Sequence, residues 1–168
     1  MKRASLAVAL ALAAAGCGSS TSPSTPANPT FTQTLLPANE TPAITSPDPE
    51  ASATGTATIT FVTTKDASGN ITSATASAQV TLSGFPAGST ITNAHIHTGA
   101  AGVAGSIFIP FPPGTISPAN GTFTWTANPP PTADQVNSIL NNPSGFYFNV
   151  HTALHGGGVM RAQLVRTQ

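Results

Sequence analysis

From Phe31 onward, apolar residues alternate with small polar ones, the period-two pattern of strands that bury one face. The clearest run is ATGTATITFVTT (53–64), where Ala57, Ile59 and Phe61 interleave with threonines. The turn KDASGN follows, and ITSATASAQVTLSGF (71–85) returns as its hairpin partner. Further strands are predicted at 31–36, 90–97, 106–111, 121–127, 145–152 and 158–166, the last two joined across ALHGG. One segment departs from the alternation. In PTADQVNSILNN, Thr132 is placed to cap a helix with Gln135 three residues on, and Val136, Ile139 and Leu140 fall on one face. This predicts one short helix among about eight strands, an all-β antiparallel β-sandwich in a single domain.

Parity assigns side chains to faces. In 145–152, Phe146, Phe148 and Val150 share one side, and Tyr147, Asn149 and His151 the other. In 90–97, Thr92, Ala94 and Ile96 oppose Asn93, His95 and His97. In 158–166, Met160, Ala162 and Leu164 form the apolar side, with Val159, Arg161, Gln163 and Val165 facing away. If these strands are neighbours, His95, His97, His151, Arg161 and Gln163 make one polar patch outside the core. Tyr147 and Trp125 read as partly buried strand aromatics whose polar atoms are satisfied.

Composition narrows the functional classes. Charged residues are 6% of the chain, against about 25% in an average globular protein. No basic patch can be assembled from five Lys and Arg, which excludes nucleic acid as a partner. No nucleophile–base motif, nucleotide loop or cofactor fingerprint is present, and GAAGVAG lacks the lysine-bearing helix of a phosphate cradle.

The N-terminus, MKRASLAVALALAAAGCGSS, places Lys2 and Arg3 before a short apolar run, then small residues before Cys17. The run is too short to span a bilayer core of about 30 Å, so residues 1–16 read as a lipoprotein signal peptide. Cys17, the chain's single cysteine, is then the lipidated N-terminus, although Ala14 stands where such motifs usually carry Leu. Ordinary signal cleavage and secretion is the alternative. Residues 17–30 form a Ser/Thr/Pro-rich tether, and the domain runs from 31 to 168. This predicts a membrane-anchored protein of the cell envelope, periplasmic or surface-exposed. Gly18 after the cysteine favours an outer-membrane destination in a Gram-negative host. From Cys17 on, three basic residues against five acidic ones leave a formal charge of −2. A lone cysteine allows no internal disulfide, so the exported fold rests on packing and hydrogen bonds.

Two of the four histidines lie two apart on one strand, where residues i and i+2 project about 6.5–7 Å apart. With His151 at matching parity they form a candidate metal site for copper or zinc, since imidazole suits both. The alternative is that all three are solvent-facing or hydrogen-bonded strand residues. His155, in the LHGGG turn, is a turn residue or an assisting one. Glu40, in the ANETP loop, either clamps Arg161 or faces solvent.

AHIHTGAAGVAG (94–105), FYFNVHTALHGGGVMRAQL (146–164) and LLPANETP (35–42) together resemble the CHRD domain, over residues 31 to 166. The resemblance implies an immunoglobulin-like β-sandwich. It also implies that Glu40, His95, His97, Asn149, His151, Thr152, Arg161 and Gln163 are the family's polar positions. Here Val159 stands where the family carries an acid, Met160 replaces Ile and Ala162 replaces Gly. The strand-borne H-x-H is similar to that of the copper/zinc superoxide dismutases, but this chain lacks their paired cysteines and their histidine- and aspartate-rich loop. The resulting expectation is a non-catalytic, membrane-anchored module binding a protein or small ligand. A metal-binding domain is the alternative, with Glu40, Asn149, Thr152, Arg161 and Gln163 as supporting network. A dismutase-type redox enzyme is a third reading.

Overall fold

Small polar residues, mostly threonine and serine, alternating with apolar ones build the longest hairpin of the protein, seen in a computed structural model that describes residues 27–168. Cys17, the predicted signal peptide and the predicted tether up to residue 26 lie outside the described residues. Strands β2 (Thr54–Lys65) and β3 (Ile71–Ser83) pair antiparallel, from Thr54 against Ser83 to Lys65 against Ile71. Their turn is tied by Asp66, whose Oδ1 accepts from the backbone N–H of Ser68 and of Asn70, each at 2.9 Å. Gly69 supplies the positive φ of 86° that the turn requires. β1 (Thr30–Leu35) pairs with β2, and β6 (Gly121–Thr126) with β3, giving a first sheet in the order β1-β2-β3-β6.

The second sheet is β5-β4-β7-β8, all neighbours antiparallel, from β4 (Ile91–Thr98), β5 (Ile107–Pro110), β7 (Phe146–Thr152) and β8 (Met160–Gln163). Between the sheets lies one apolar core: Phe31, Ile59, Phe61, Ala78 and Val80 from the first meet Ile91, Ile96, Phe148, Val150 and Met160 from the second. Phe31–Phe61 and Phe111–Phe148 meet edge-on with ring centroids 5.8 Å apart. The architecture is therefore an antiparallel β-sandwich of four strands on four.

The edges β1 and β8 close on one another through bridges between Phe31 and Arg166 and between Leu36 and Arg161. That closure explains why β8 is shorter than its predicted 158–166. After Leu164, whose N–H still donates to Phe146 O at 3.0 Å, the chain leaves β7 and crosses to β1, where the Thr167 N–H donates to Thr30 O at 2.8 Å. Val159 precedes the strand, in the turn, so strand parity does not govern it, and it is buried with the core rather than facing away.

Helix α1 (Ala133–Asn141) connects β6 to β7 and carries the capping box its sequence announces. The Gln135 N–H donates to Thr132 Oγ1 at 3.2 Å and the Thr132 N–H to Gln135 Oε1 at 2.8 Å. Gln135 Nε2 also donates to Phe108 O, fastening the helix start to β5. Val136 and Ile139 are buried and Leu140 packs partly against the core. Among the described residues no helix is long and apolar enough to cross a membrane.

Candidate functional site

β4, β7 and β8 are consecutive in the second sheet, so their polar parities share a face. Register sets His95 opposite Asn149 and His97 opposite Tyr147, and on the other flank Asn149 opposite Arg161 and Tyr147 opposite Gln163. This face points away from the sandwich core and is nonetheless buried. His95, His97 and His151 keep only 9, 8 and 6% of their surface exposed, Asn149 1% and Arg161 2%. They are not the solvent-facing strand residues of one sequence reading.

Two loops make the cover. The 99–105 loop is drawn onto the sheet by Arg161, whose Nη1 donates to Val103 O and Nη2 to Ala100 O, both at 3.1 Å. Gln163 Nε2 donates to Gly99 O at 2.9 Å, and the Gly105 N–H donates to the Tyr147 hydroxyl at 3.2 Å. A side chain at Gly105 would collide with the Thr98 carbonyl, so the loop lies this close only with glycine there. The second cover is the turn after β7, whose Gly156 carbonyl lies 2.9 Å from His151 Nδ1. Beneath the first loop, Tyr147 is flanked by both neighbouring strands. His97 stacks on it, with centroids 5.0 Å apart and planes 7° from parallel, and the Arg161 guanidinium carbon sits 3.6 Å from its ring centre.

The three imidazoles converge. One nitrogen from each lies within 4.8 Å of the others, and His95 Nδ1 is 2.9 Å from His151 Nε2. A tetrahedral ion with bonds of 2.0–2.1 Å holds its ligand atoms about 3.3 Å apart, inside that range. The tautomers follow from the partners. His97 Nδ1 faces Gly105 O at 2.9 Å and His151 Nδ1 faces Gly156 O, and a carbonyl only accepts, so both Nδ1 atoms carry the proton. Their Nε2 lone pairs are left pointing into the cluster, and His97 Nε2 is buried with no hydrogen-bond partner. A metal-ligating histidine is usually oriented by this kind of bond from its other nitrogen.

Burial also keeps the rings neutral. Desolvation, then the His151 and His97 charges, lowers His95 to about 4. Desolvation likewise lowers His97 and His151, only partly offset by the hydrogen bonds to Gly105 and Gly156. At neutral pH the cluster offers lone pairs rather than charges.

Glu40 lies beside this cluster rather than out in solvent. It is 8% exposed, with Oε1 lacking a hydrogen-bond partner. Desolvation pushes its pKa up to about 7, against the charge of Arg161, the Thr41 N–H and the Asn149 amide, which pull it down. Arg161 acts on it through space and not as a salt-bridge clamp: among the described residues, the ion pairs within 4.0 Å are those of His155. A cleft of about 370 Å³ lined by Asn39, Glu40, Gly102 and Arg161 opens beside it.

Thr152 stands apart from the histidines. Its hydroxyl donates to Glu50 Oε2 at 2.6 Å, in a second buried network where Ser89 Oγ donates to Glu50 Oε1 at 2.7 Å. His155 belongs there too, with Nε2 3.1 Å from Asp48 Oδ2 and 3.8 Å from Glu50 Oε2. It therefore does not assist the three-histidine cluster. Sequence reasoning missed Glu50, since nothing in the loop SPDPEA marks a buried carboxylate. It also missed Tyr147 as the platform between His97 and Arg161, although its parity with Asn149 and His151 was a usable signal. The Tyr147 hydroxyl is satisfied, but Trp125 Nε1 is buried without a partner, contrary to expectation. Trp125 faces the core from the edge strand β6, where apolar neighbours surround it.

The family model of the CHRD domain matches residues 31–164 of the chain. No curated protein and no solved structure matches it.

Proposed function

We propose, from the premise that this chain belongs to the CHRD domain family, that it is a non-catalytic binding module carrying one transition-metal ion, copper or zinc, on His95, His97 and His151. The observation that carries this reading is the convergence of three imidazole nitrogens within 4.8 Å of one another, two of them with tautomers set by backbone carbonyls. An unpartnered Nε2 in a buried site is costly by about 1–3 kcal/mol unless something accepts its lone pair, and a cation does so. Among divalent ions, copper binds such nitrogen sites most tightly. Held neutral by burial and protonated on Nδ1, His97 and His151 keep no proton on the Nε2 atoms they would offer an ion near pH 7.

Elemental analysis of the natively purified protein beside His97→Ala tests the reading. The expected result is close to one ion per wild-type chain and loss of that ion in the variant. Equal metal content in both eliminates the site.

The same reading places the module in the cell envelope, held by a lipid on Cys17 with residues 17–30 as its tether, the −2 domain reaching a protein or small-ligand partner. The support is the apolar run and small residues before a solitary cysteine. Growth with radiolabelled fatty acid should label the wild type and leave Cys17→Ser unlabelled. An unlabelled wild type removes the anchor and leaves secretion.

A further inference from the structure

We infer that Asn149 completes the proposed metal site: its side-chain Oδ1 is the fourth ligand, and Glu40 is the positioning residue that holds the amide with that oxygen turned inward. The inference rests on the three-histidine reading and deepens it.

Three observations carry it. The first is a count of hydrogen-bonding roles. His151 Nε2 is an acceptor, because its Nδ1 carries the proton shared with Gly156 O. Yet Asn149 Oδ1, also an acceptor, lies only 3.1 Å from it. The proton on His95 Nδ1 can serve His151 Nε2 at 2.9 Å, but nothing then serves His97 Nε2 or relieves the contact with Asn149. The two acceptors left over, His97 Nε2 and Asn149 Oδ1, have no donor there, and a cation would serve both. The 3.1 Å separation is also near the spacing of about 3.3 Å between two ligands of one four-coordinate ion.

The second observation fixes which way the amide points. With nothing but histidine lone pairs in front of it, an asparagine would turn its NH2 group inward and donate. Behind Asn149, however, stands Glu40, whose Oε1 crowds the same point beside Gly158 as Asn149 Nδ2 does and has no hydrogen-bond partner of its own. In its ionised form Glu40 accepts only, and that form draws the NH2 toward itself and leaves Oδ1 facing the rings. Three imidazoles and an amide are all neutral, which leaves the ion's charge to be balanced, and the buried Glu40 is the nearby acidic group that can do so.

The third is the space made for this pair. Gly158 sits at a φ of 125°, and a Cβ there would stand 2.6 Å from Asn149 Nδ2 and 2.7 Å from Glu40 Oε1. The turn after β7 thus approaches the Asn149–Glu40 pair as closely as a glycine permits. A fourth protein ligand closes the coordination sphere, which is the arrangement of a structural site rather than of one that opens to substrate.

The test uses the full-length protein with Co(II) alone as probe, because its visible ligand-field spectrum reports the number and kind of ligands. Asn149→Leu should bind Co(II) about 10- to 100-fold more weakly and with an altered spectrum. Asn149→Asp, which keeps an oxygen in place, should retain binding with a shifted spectrum. Glu40→Gln should lose roughly tenfold in affinity and move the spectrum toward that of Asn149→Leu, since its amide lets Asn149 turn around. Asn149→Leu with wild-type affinity and spectrum would overturn the assignment. So would an Asn149→Asp spectrum identical to wild type, and this variant decides alone should the leucine form fail to fold. A wild type that takes up no Co(II) overturns the histidine reading itself, an outcome separate from either of these.

Discussion

The two sheets of this sandwich share one core and differ in what they turn outward. On the first sheet, Thr56, Thr75, Thr81, Thr122 and Thr124 line a face open to water, and hydroxyl pairs such as Thr81 with Thr122 at 3.0 Å decorate it. On the second, every residue of β7 is buried on both faces, because loops lie over the polar one. Threonine on a wet face can be replaced at little cost, since water satisfies whatever the substitution leaves behind. Histidine, asparagine and arginine under a loop cannot, because each must find its partners inside the protein. A sheet face thus becomes a site when connections fold back over it and its polar groups stay satisfied only in one arrangement.

Substitutions that attack one face at a time sharpen this contrast. The largest expected effect is that of Arg161→Ala, which removes two of the bonds holding the 99–105 loop and strands the Ala100 and Val103 carbonyls. Destabilisation of about 4 kcal/mol is expected in urea unfolding. A loss below about 1 kcal/mol would show that the loop closes without its arginine.

Acid should come next. His95 titrates near 6.5 when unfolded and about 4 when folded, so between those values the unfolded chain binds more protons. The contribution of His95 is therefore full above pH 6.5 and is lost on acidification through about pH 4, by on the order of 3 kcal/mol. Glu40, raised from 4.5 to about 7, contributes with the opposite sign, and stability falls as pH rises from 4.5 through 7. Thermal melts across this range should show His95→Gln flattening the acid limb and Glu40→Gln removing the decline toward neutrality. Identical curves for the wild type and both variants would contradict burial of the polar face.

Gly158→Ala is expected to cost about 2 kcal/mol, through its positive φ and the crowding of Asn149 and Glu40. The same change at Gly88, also at positive φ but with open space around it, isolates the backbone part. Similar losses at both positions would assign the whole effect to conformation. Smallest of all should be Thr81→Ala on the wet face, within about 0.2–1 kcal/mol. A larger loss there would mean the first sheet's exterior is not a free surface.

Much of this was legible in the residues. Period-two alternation located all eight strands, and Thr132 with Gln135 announced the helix and its capping box, because both signals act between residues close in sequence. Parity likewise put His95 and His97 on one face, and His151 with Asn149 and Tyr147 on another strand's matching face. The part not legible depended on distance along the chain. Glu40 precedes Asn149 by more than a hundred residues, and no local pattern says that the loop carrying it folds under the turn at Gly158. Thr152 was grouped with the histidines beside it in sequence, yet one residue along a strand means the opposite face, and its partner proved to be Glu50.

By itself the sequence determined which side chains could share a face, because Cβ direction alternates with every peptide unit and needs no partner strand. Tertiary structure alone decided that β4, β7 and β8 would be neighbours, and that loops would seal their outer face. Those outcomes are set by the summed burial and hydrogen bonding of segments far apart in the chain, which no short window of residues contains.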